Sequence, residues 1–231
     1  MACRFHKTRS HKTHTRGTHA NRPGQNTSHA AREHSTKHAH TGRRPQGGAH
    51  RRSIQTVSAS YAGEPSIASV LATPCENTEL TPEPGNIETI DAATLCLVNQ
   101  ERARNGELPL QPNARLEQAA QGHCEEMVSE DYFAHVAPSG LTPVGRVEVT
   151  GYVPSRQVGY TLGENIAWGT LQLSTPAATV TAWIASPEHL ANILFSQYRD
   201  TAIGVAPEAP ASLAQGQPGA VYAEEFGVIV N

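Results

Sequence analysis

The chain has few aromatic residues, 5% of its 231 positions, and only four cysteines. Its first 52 residues contain no leucine, isoleucine or valine and a single acid, Glu33. Without branched aliphatics that stretch has almost nothing to bury against the roughly 1–2 kcal/mol of backbone entropy lost per ordered residue, so a core within residues 1–52 is excluded and an irregular tail is predicted. Nowhere does an apolar run reach the ~18 residues that would span a bilayer. A signal-peptide core is also missing, because the stretch after Arg51-Arg52 is interrupted by Gln55, Ser58, Ser60, Gly63, Glu64 and Pro65.

What the tail does hold is charge. Residues 1–52 carry 12 of the 18 Lys and Arg and 9 of the 12 His, whereas residues 53–231 carry 6 basic and 20 acidic residues. The formal charge of −3 is therefore two opposite charges joined end to end. Such a tail suits metal binding through imidazoles or polyanion binding by counterion release, but with Phe5 as its one aromatic residue it does not suit base stacking. A misplaced start or a shifted reading frame would give the same composition. Three zones follow: a basic His/Arg/Thr-rich tail (1–52), a Pro/Ser/Glu linker (53–86) and a patterned domain (87–231).

Within the domain, Pro84-Gly85-Asn86 is a stop and cap before Ile87, Ile90, Ala93, Leu97 and Val98, which recur at helical spacing until Asn105-Gly106. Leu108-Pro109-Leu110 reads as extended. Asn113 then caps a second helix whose stripe is Leu116, Ala119, Ala120, His123, Cys124 and Met127. Residues 134–141 read as loop, and 143–150 as a short helix closed by Gly151. Residues 160–168 read as a strand broken at Gly163. Helices at 175–184 and 187–194, the first with Pro176 in its first turn, precede two final strands at 201–206 and 221–230. Helices first and most strands last predict an α+β fold with a mainly antiparallel sheet between helices.

Cys3 lies in the tail, and Cys75, Cys96 and Cys124 leave three pairings open. A Cys75–Cys96 bridge would fasten the linker to the first helix, contributing on the order of 3 kcal/mol for its ~20-residue loop in an oxidising compartment.

Several stretches set polar residues among apolar ones: Leu97-Val98-Asn99-Gln100-Glu101-Arg102, Tyr132-Phe133-Ala134-His135, Gly163-Glu164-Asn165-Ile166-Ala167, the run from Trp183 through Ser186, His189 and Asn192 to Leu194, Tyr198-Arg199-Asp200, and Glu225-Phe226-Gly227. In this order they resemble the bacterial branch of the CAP superfamily, which groups cysteine-rich secretory proteins, antigen 5 and pathogenesis-related proteins, over residues 88–231. The resemblance implies an α-β-α sandwich and a secreted or cell-envelope protein. It also implies a surface cleft in which His135, Glu164 and His189 match two His and one Glu of the family's tetrad, with Asn192 in the bacterial His-x-x-Asn-Ile-Leu motif. The second Glu falls at Ser186. Leu190 replaces the usual Arg, and Glu224 stands where Gln is frequent.

Two imidazoles and a carboxylate suit Zn²⁺, with His135 and His189 as candidate ligands, and equally suit general bases. The bland alternative is a hydrogen-bonded network that fixes the cleft. Trp168, Trp183, Tyr132 and Phe133 read as core, His123 as a satisfied buried histidine and Glu188 as a solvated first-turn acid. The expected function is a non-enzymatic binding module for a small apolar ligand, a cell-envelope ligand or a protein partner, with a metal-dependent hydrolase using His135, Glu164 and His189 as the alternative.

Overall fold

A computed structural model describes residues 2–7, 65–155 and 157–230. The remainder of the tail and residues 53–64 of the linker lie outside them. In chain order the elements are β1 (Ala2–Lys7), α1 (Ile67–Ala72), α2 (Ile87–Arg104), β2 (Gln111–Pro112), α3 (Ala114–Ser129), α4 (Pro143–Val149), β3 (Gly159–Thr170), a 3₁₀ turn (Leu171–Ser174), α5 (Pro176–Ala185), α6 (Pro187–Ile193), β4 (Asp200–Ala206), α7 (Ala211–Ala214) and β5 (Gly219–Val230). The sheet order is β1-β3-β5-β4-β2, antiparallel except for the short parallel pair β2–β4.

The alternation of side chains along a strand divides the protein into three layers. Leu162 and Ile166 of β3, Ala202 and Ala206 of β4, and Val221 and Ala223 of β5 meet Leu116, Ala119, Ala120, Cys124 and Met127 of α3 and Val147 of α4. The intervening residues Ile203, Val205, Ala220, Tyr222 and Phe226 meet Ile90 and Val98 of α2, Val180 and Trp183 of α5 and Ile193 of α6. Helices therefore cover both sides of one sheet, and the fold is α+β. The buried residues of α3 are the six of the predicted stripe. Asn113 caps that helix through Arg115 and Leu116 N–H, and Thr175 caps α5 through Ala178 N–H.

Some local readings differ. Within residues 65–86, read as linker, Ser66 caps α1, which packs on α2, and Gln100 Nε2 donates to Thr73 O at 2.8 Å. The expected Cys75–Cys96 bond is formed, with 5.7 Å between Cα atoms. Side-chain burial underestimated the segment, since a cap and a covalent bond hold a helix that has no buried residue. The tail is not irregular throughout, because Ala2–Lys7 forms an edge strand, held by main-chain bonds that need no branched aliphatics. Trp168 is 38% exposed near the end of β3, beyond the cover of α3, and so is not core, whereas Trp183 is buried.

Gly163 does not break β3 either. It pairs in register with Phe226, and its missing side chain makes room for Tyr198: a Cβ there would lie 2.2 Å from the Tyr198 hydroxyl oxygen and 3.2 Å from Asn192 Oδ1. Glycine in a strand interior here marks a close approach. Gly163→Ala is expected to lower stability by about 1–3 kcal/mol through overpacking, with Tyr198→Phe in the same chain restoring part of the loss, both read from urea unfolding.

The polar residues of the 97–102 stretch are structural. Asn99 accepts from Leu110 N–H at 2.7 Å and donates to Leu110 O at 3.1 Å, which holds the extended segment onto α2. Arg102, fully buried, donates to Leu108 O at 2.8 Å, to Phe195 O at 3.2 Å and to Ile193 O, joining the end of α2 to the end of α6. Burial holds its guanidinium below the ordinary arginine value, opposed by the charges of Glu107 and Glu224.

Candidate functional site

Glu164 lies at the middle of β3 on the α3–α4 side, with no exposed surface. Three donors converge on its carboxylate. His123 Nδ1 lies 2.8 Å from Oε2, His135 Nδ1 2.5 Å from Oε1, and Arg146 Nη2 donates to Oε2 at 2.9 Å. The donors come from α3, from the 134–141 loop and from α4, so one carboxylate joins four segments. His123 Nε2 faces Ala134 O at 3.1 Å. Both of its ring nitrogens thus face acceptors. Arg146 also donates to His135 O at 2.7 Å and to Leu141 O at 3.3 Å, fixing both ends of the loop.

These contacts decide the charge of the group. Burial is the largest influence on Glu164 and alone would raise its pKa. The hydrogen bonds from His123 and His135, with the positive charges of His123 and Arg146, outweigh it and hold the carboxyl well below the usual range. Glu225 sits opposite Glu164 in register on β5, fully buried. Burial first, and then the charge of Glu164, push the Glu225 carboxyl well above the usual range, so it stays neutral. The site contains one ionised and one protonated acid.

The other side of β3 is organised differently. Asn165 Nδ2 donates to His189 O at 3.3 Å, while Asn192 Nδ2 donates to Asn165 Oδ1 at 3.0 Å and to Glu164 O at 3.3 Å. Asn192 is buried and locks α6 onto the strand. Ser186 ends α5 and begins α6, where its carbonyl accepts from Leu190 N–H at 2.9 Å. Glu188 is an exposed acid in the first turn of α6. Consecutive residues of a strand point to opposite faces, so Glu164 turns to α3 and α4, and Asn165 to the helix that carries His189.

Of the predicted site residues, His135 and Glu164 are brought together, while Asn192, Ser186 and His189 belong to the α6 side. Among the described residues, no group of three or more His, Cys, Asp or Glu is placed to hold a metal ion. Both Glu164 oxygens already accept from N–H donors. Among the polar atoms of the cluster, His135 Nε2 and Arg146 Nε are buried without a hydrogen-bond partner. Arg146 was absent from the sequence-level site. Its signal was a single basic residue between Gly145 and Val147 in a helix whose buried positions are 143, 146 and 147.

Glu224 occupies the opposite face of β5. It accepts from Thr201 Oγ1 at 3.3 Å, and burial, opposed by Thr201 and the charge of Arg102, raises its pKa to about 8. A neutral carboxyl carries a donor and an acceptor as an amide does, which accounts for Glu where the resemblance leads one to expect Gln.

The family model "CAP: Cysteine-rich secretory protein family" matches residues 95–213, just over half of the chain. The uncharacterized protein YkwD of Bacillus subtilis (strain 168) is 29% identical over 152 residues, covering 65% of this chain and 56% of that protein. The uncharacterized membrane protein YlbC of the same organism is 32% identical over 117 residues, covering 51% of this chain and 32% of that one. The chain thus spans about half or less of the length of these relatives. Among solved structures, an extracellular protein containing a SCP domain from Bacillus anthracis aligns with a TM-score of 0.47 at 24% identity, over 63% of this chain and 43% of its own. An outer surface protein from Borrelia burgdorferi aligns with a TM-score of 0.45 at 16% identity, over 58% of this chain and 87% of its own. On the extent of the family match, with the α+β fold described above, this chain belongs to the CAP family of cysteine-rich secretory proteins.

Proposed function

We propose that this chain is an extracytoplasmic binding module, with no catalytic role for its His/Glu cluster, that takes a cell-envelope ligand beside His135. The observation that carries the reading is the engagement of Glu164: a carboxylate held ionised by three donors, with both oxygens already accepting, is a poor general base. His135 Nε2, on a side chain that keeps 14% exposure against 5% for Arg146, is the polar atom a ligand would satisfy. The Cys75–Cys96 bond supports an oxidising location, where such bonds persist.

Co-sedimentation with purified cell-wall sacculi tests the binding reading. The full chain is expected in the pellet, and His135→Ala is expected to reduce the bound fraction at least fivefold; an unchanged fraction removes the His135 face as the binding surface. Calorimetric titration with Zn²⁺ tests the alternative, a metal-dependent hydrolase using His135, Glu164 and His189. The chain and its His135→Ala/His189→Ala variant are expected to give the same heats. Zinc binding that disappears in the variant, together with zinc-dependent hydrolysis, would replace the binding reading.

A further inference from the structure

The two long sides of β3 are treated unequally. Along one side all twelve residues, Gly159–Thr170, pair with β5. Along the other, only Tyr160–Asn165 are paired, and their partner is Lys7–Ala2 of the chain's own N-terminal segment. Among the described residues no other strand pairs with that edge. A long edge strand presents a row of unsatisfied N–H and C=O groups and is a template for pairing, so proteins normally cover or blunt it. Here the covering strand is drawn from a region with no branched aliphatic side chains, so what holds it is the main-chain ladder.

Two further observations concern the occupant. Besides its ladder with β3, β1 also packs against α6. The occupant Ala2-Cys3-Arg4-Phe5-His6-Lys7 is basic and comes from a segment with 12 basic residues and one acid, whereas residues 53–231 carry 20 acids against 6 bases. Charge complementarity of this kind favours encounter and suppresses acidic competitors.

We propose that the Tyr160–Asn165 edge of β3 is a β-augmentation site for an extended basic peptide, and that Ala2–Lys7 of the same chain is its resident occupant. The tail then acts as an intramolecular ligand that closes the strand edge beside Glu164. This concerns the edge and not the His135 side chain, and it stands or falls independently of sacculus binding.

The test uses the full chain and two variants, Cys3→Pro/Phe5→Pro and Arg4→Pro/His6→Pro. Alternate residues of β1 direct their N–H groups at β3, and proline removes the donor, so one of the pairs breaks the ladder. Amide exchange is followed by NMR. In that variant the outward-facing amides of Tyr160–Asn165 are expected to exchange at least tenfold faster, while the amides paired with β5 keep their protection. A fluorescein-labelled peptide spanning residues 1–8, with Cys3→Ser, is expected to bind that variant and not the unmodified chain. The same peptide with Arg4→Glu and Lys7→Glu is expected to bind at least tenfold more weakly. Equal exchange in all three chains overturns the proposal, as does a peptide that binds all three alike or none, or an acidic peptide that binds as well as the basic one.

Discussion

Replacing Glu164 by alanine is expected to lower the unfolding free energy by about 3–5 kcal/mol in urea melts at neutral pH, among the largest single-residue losses in the domain. The change strands Arg146, whose side chain is only 5% exposed, and leaves His123 Nδ1 without its partner. A charge left in the interior without its partner costs more than the pair contributed, so the loss exceeds that of an ordinary hydrogen bond. Glu164→Gln keeps the volume and one acceptor oxygen but places an NH₂ against N–H donors, and most of the loss is expected to remain. In both variants the 134–141 loop, no longer held through His135 and Arg146, is expected to exchange its amides faster than α3 does. Retention of wild-type stability in Glu164→Ala would show that the cluster holds nothing together.

The second large effect is in pH. Glu224 has its pKa raised to about 8 and Asp91 to about 7, in both cases chiefly by burial, with Glu117 and Glu88 adding to the shift at Asp91; Glu225 is also raised. For an acid whose folded pKa exceeds its unfolded value of about 4.3, the folded state binds more protons between those two pH values, so stability falls as pH rises through them. Glu164 acts in the opposite sense, since its depressed pKa makes the folded state lose stability as pH drops below the unfolded value. The two slopes place the stability maximum at about pH 4–5, on the acid side of neutrality. Glu224→Gln should remove part of the alkaline slope. The variant is expected to match the unmodified chain near pH 5 and to exceed it by on the order of 3 kcal/mol at pH 8, measured by urea unfolding across that range. Parallel curves for the two chains would mean that Glu224 ionises freely in the folded state.

The layers of the fold were legible because they rest on periodicity. The stripe on α3, the cap at Asn113 and the position of Pro176 in the first turn of α5 are local signals, and local signals survive into the structure. The site was legible in half. His135 and Glu164 could be paired through family resemblance, but no spacing rule links His123 to Glu164, 41 residues away, or assigns Arg146 to a carboxylate. Convergence of that kind depends on how α3 and α4 sit over β3, which sequence distance does not encode. The same cause explains Gly163. From the residues alone it is a strand breaker, and only the nearness of Tyr198, 35 positions later, makes it a contact.

The Cys75–Cys96 bond also has a mechanical meaning. A pull transmitted down the tail and linker reaches Cys75 and passes through sulfur into the middle of α2, where Ile90 and Val98 anchor the helix in the core. The first turns of α2, which would otherwise peel away one at a time, sit inside the closed loop and bear no load until the whole helix moves. Tethered at its N-terminal side to a surface or a partner, the domain would resist traction by shear of a packed helix and not by unzipping from its end.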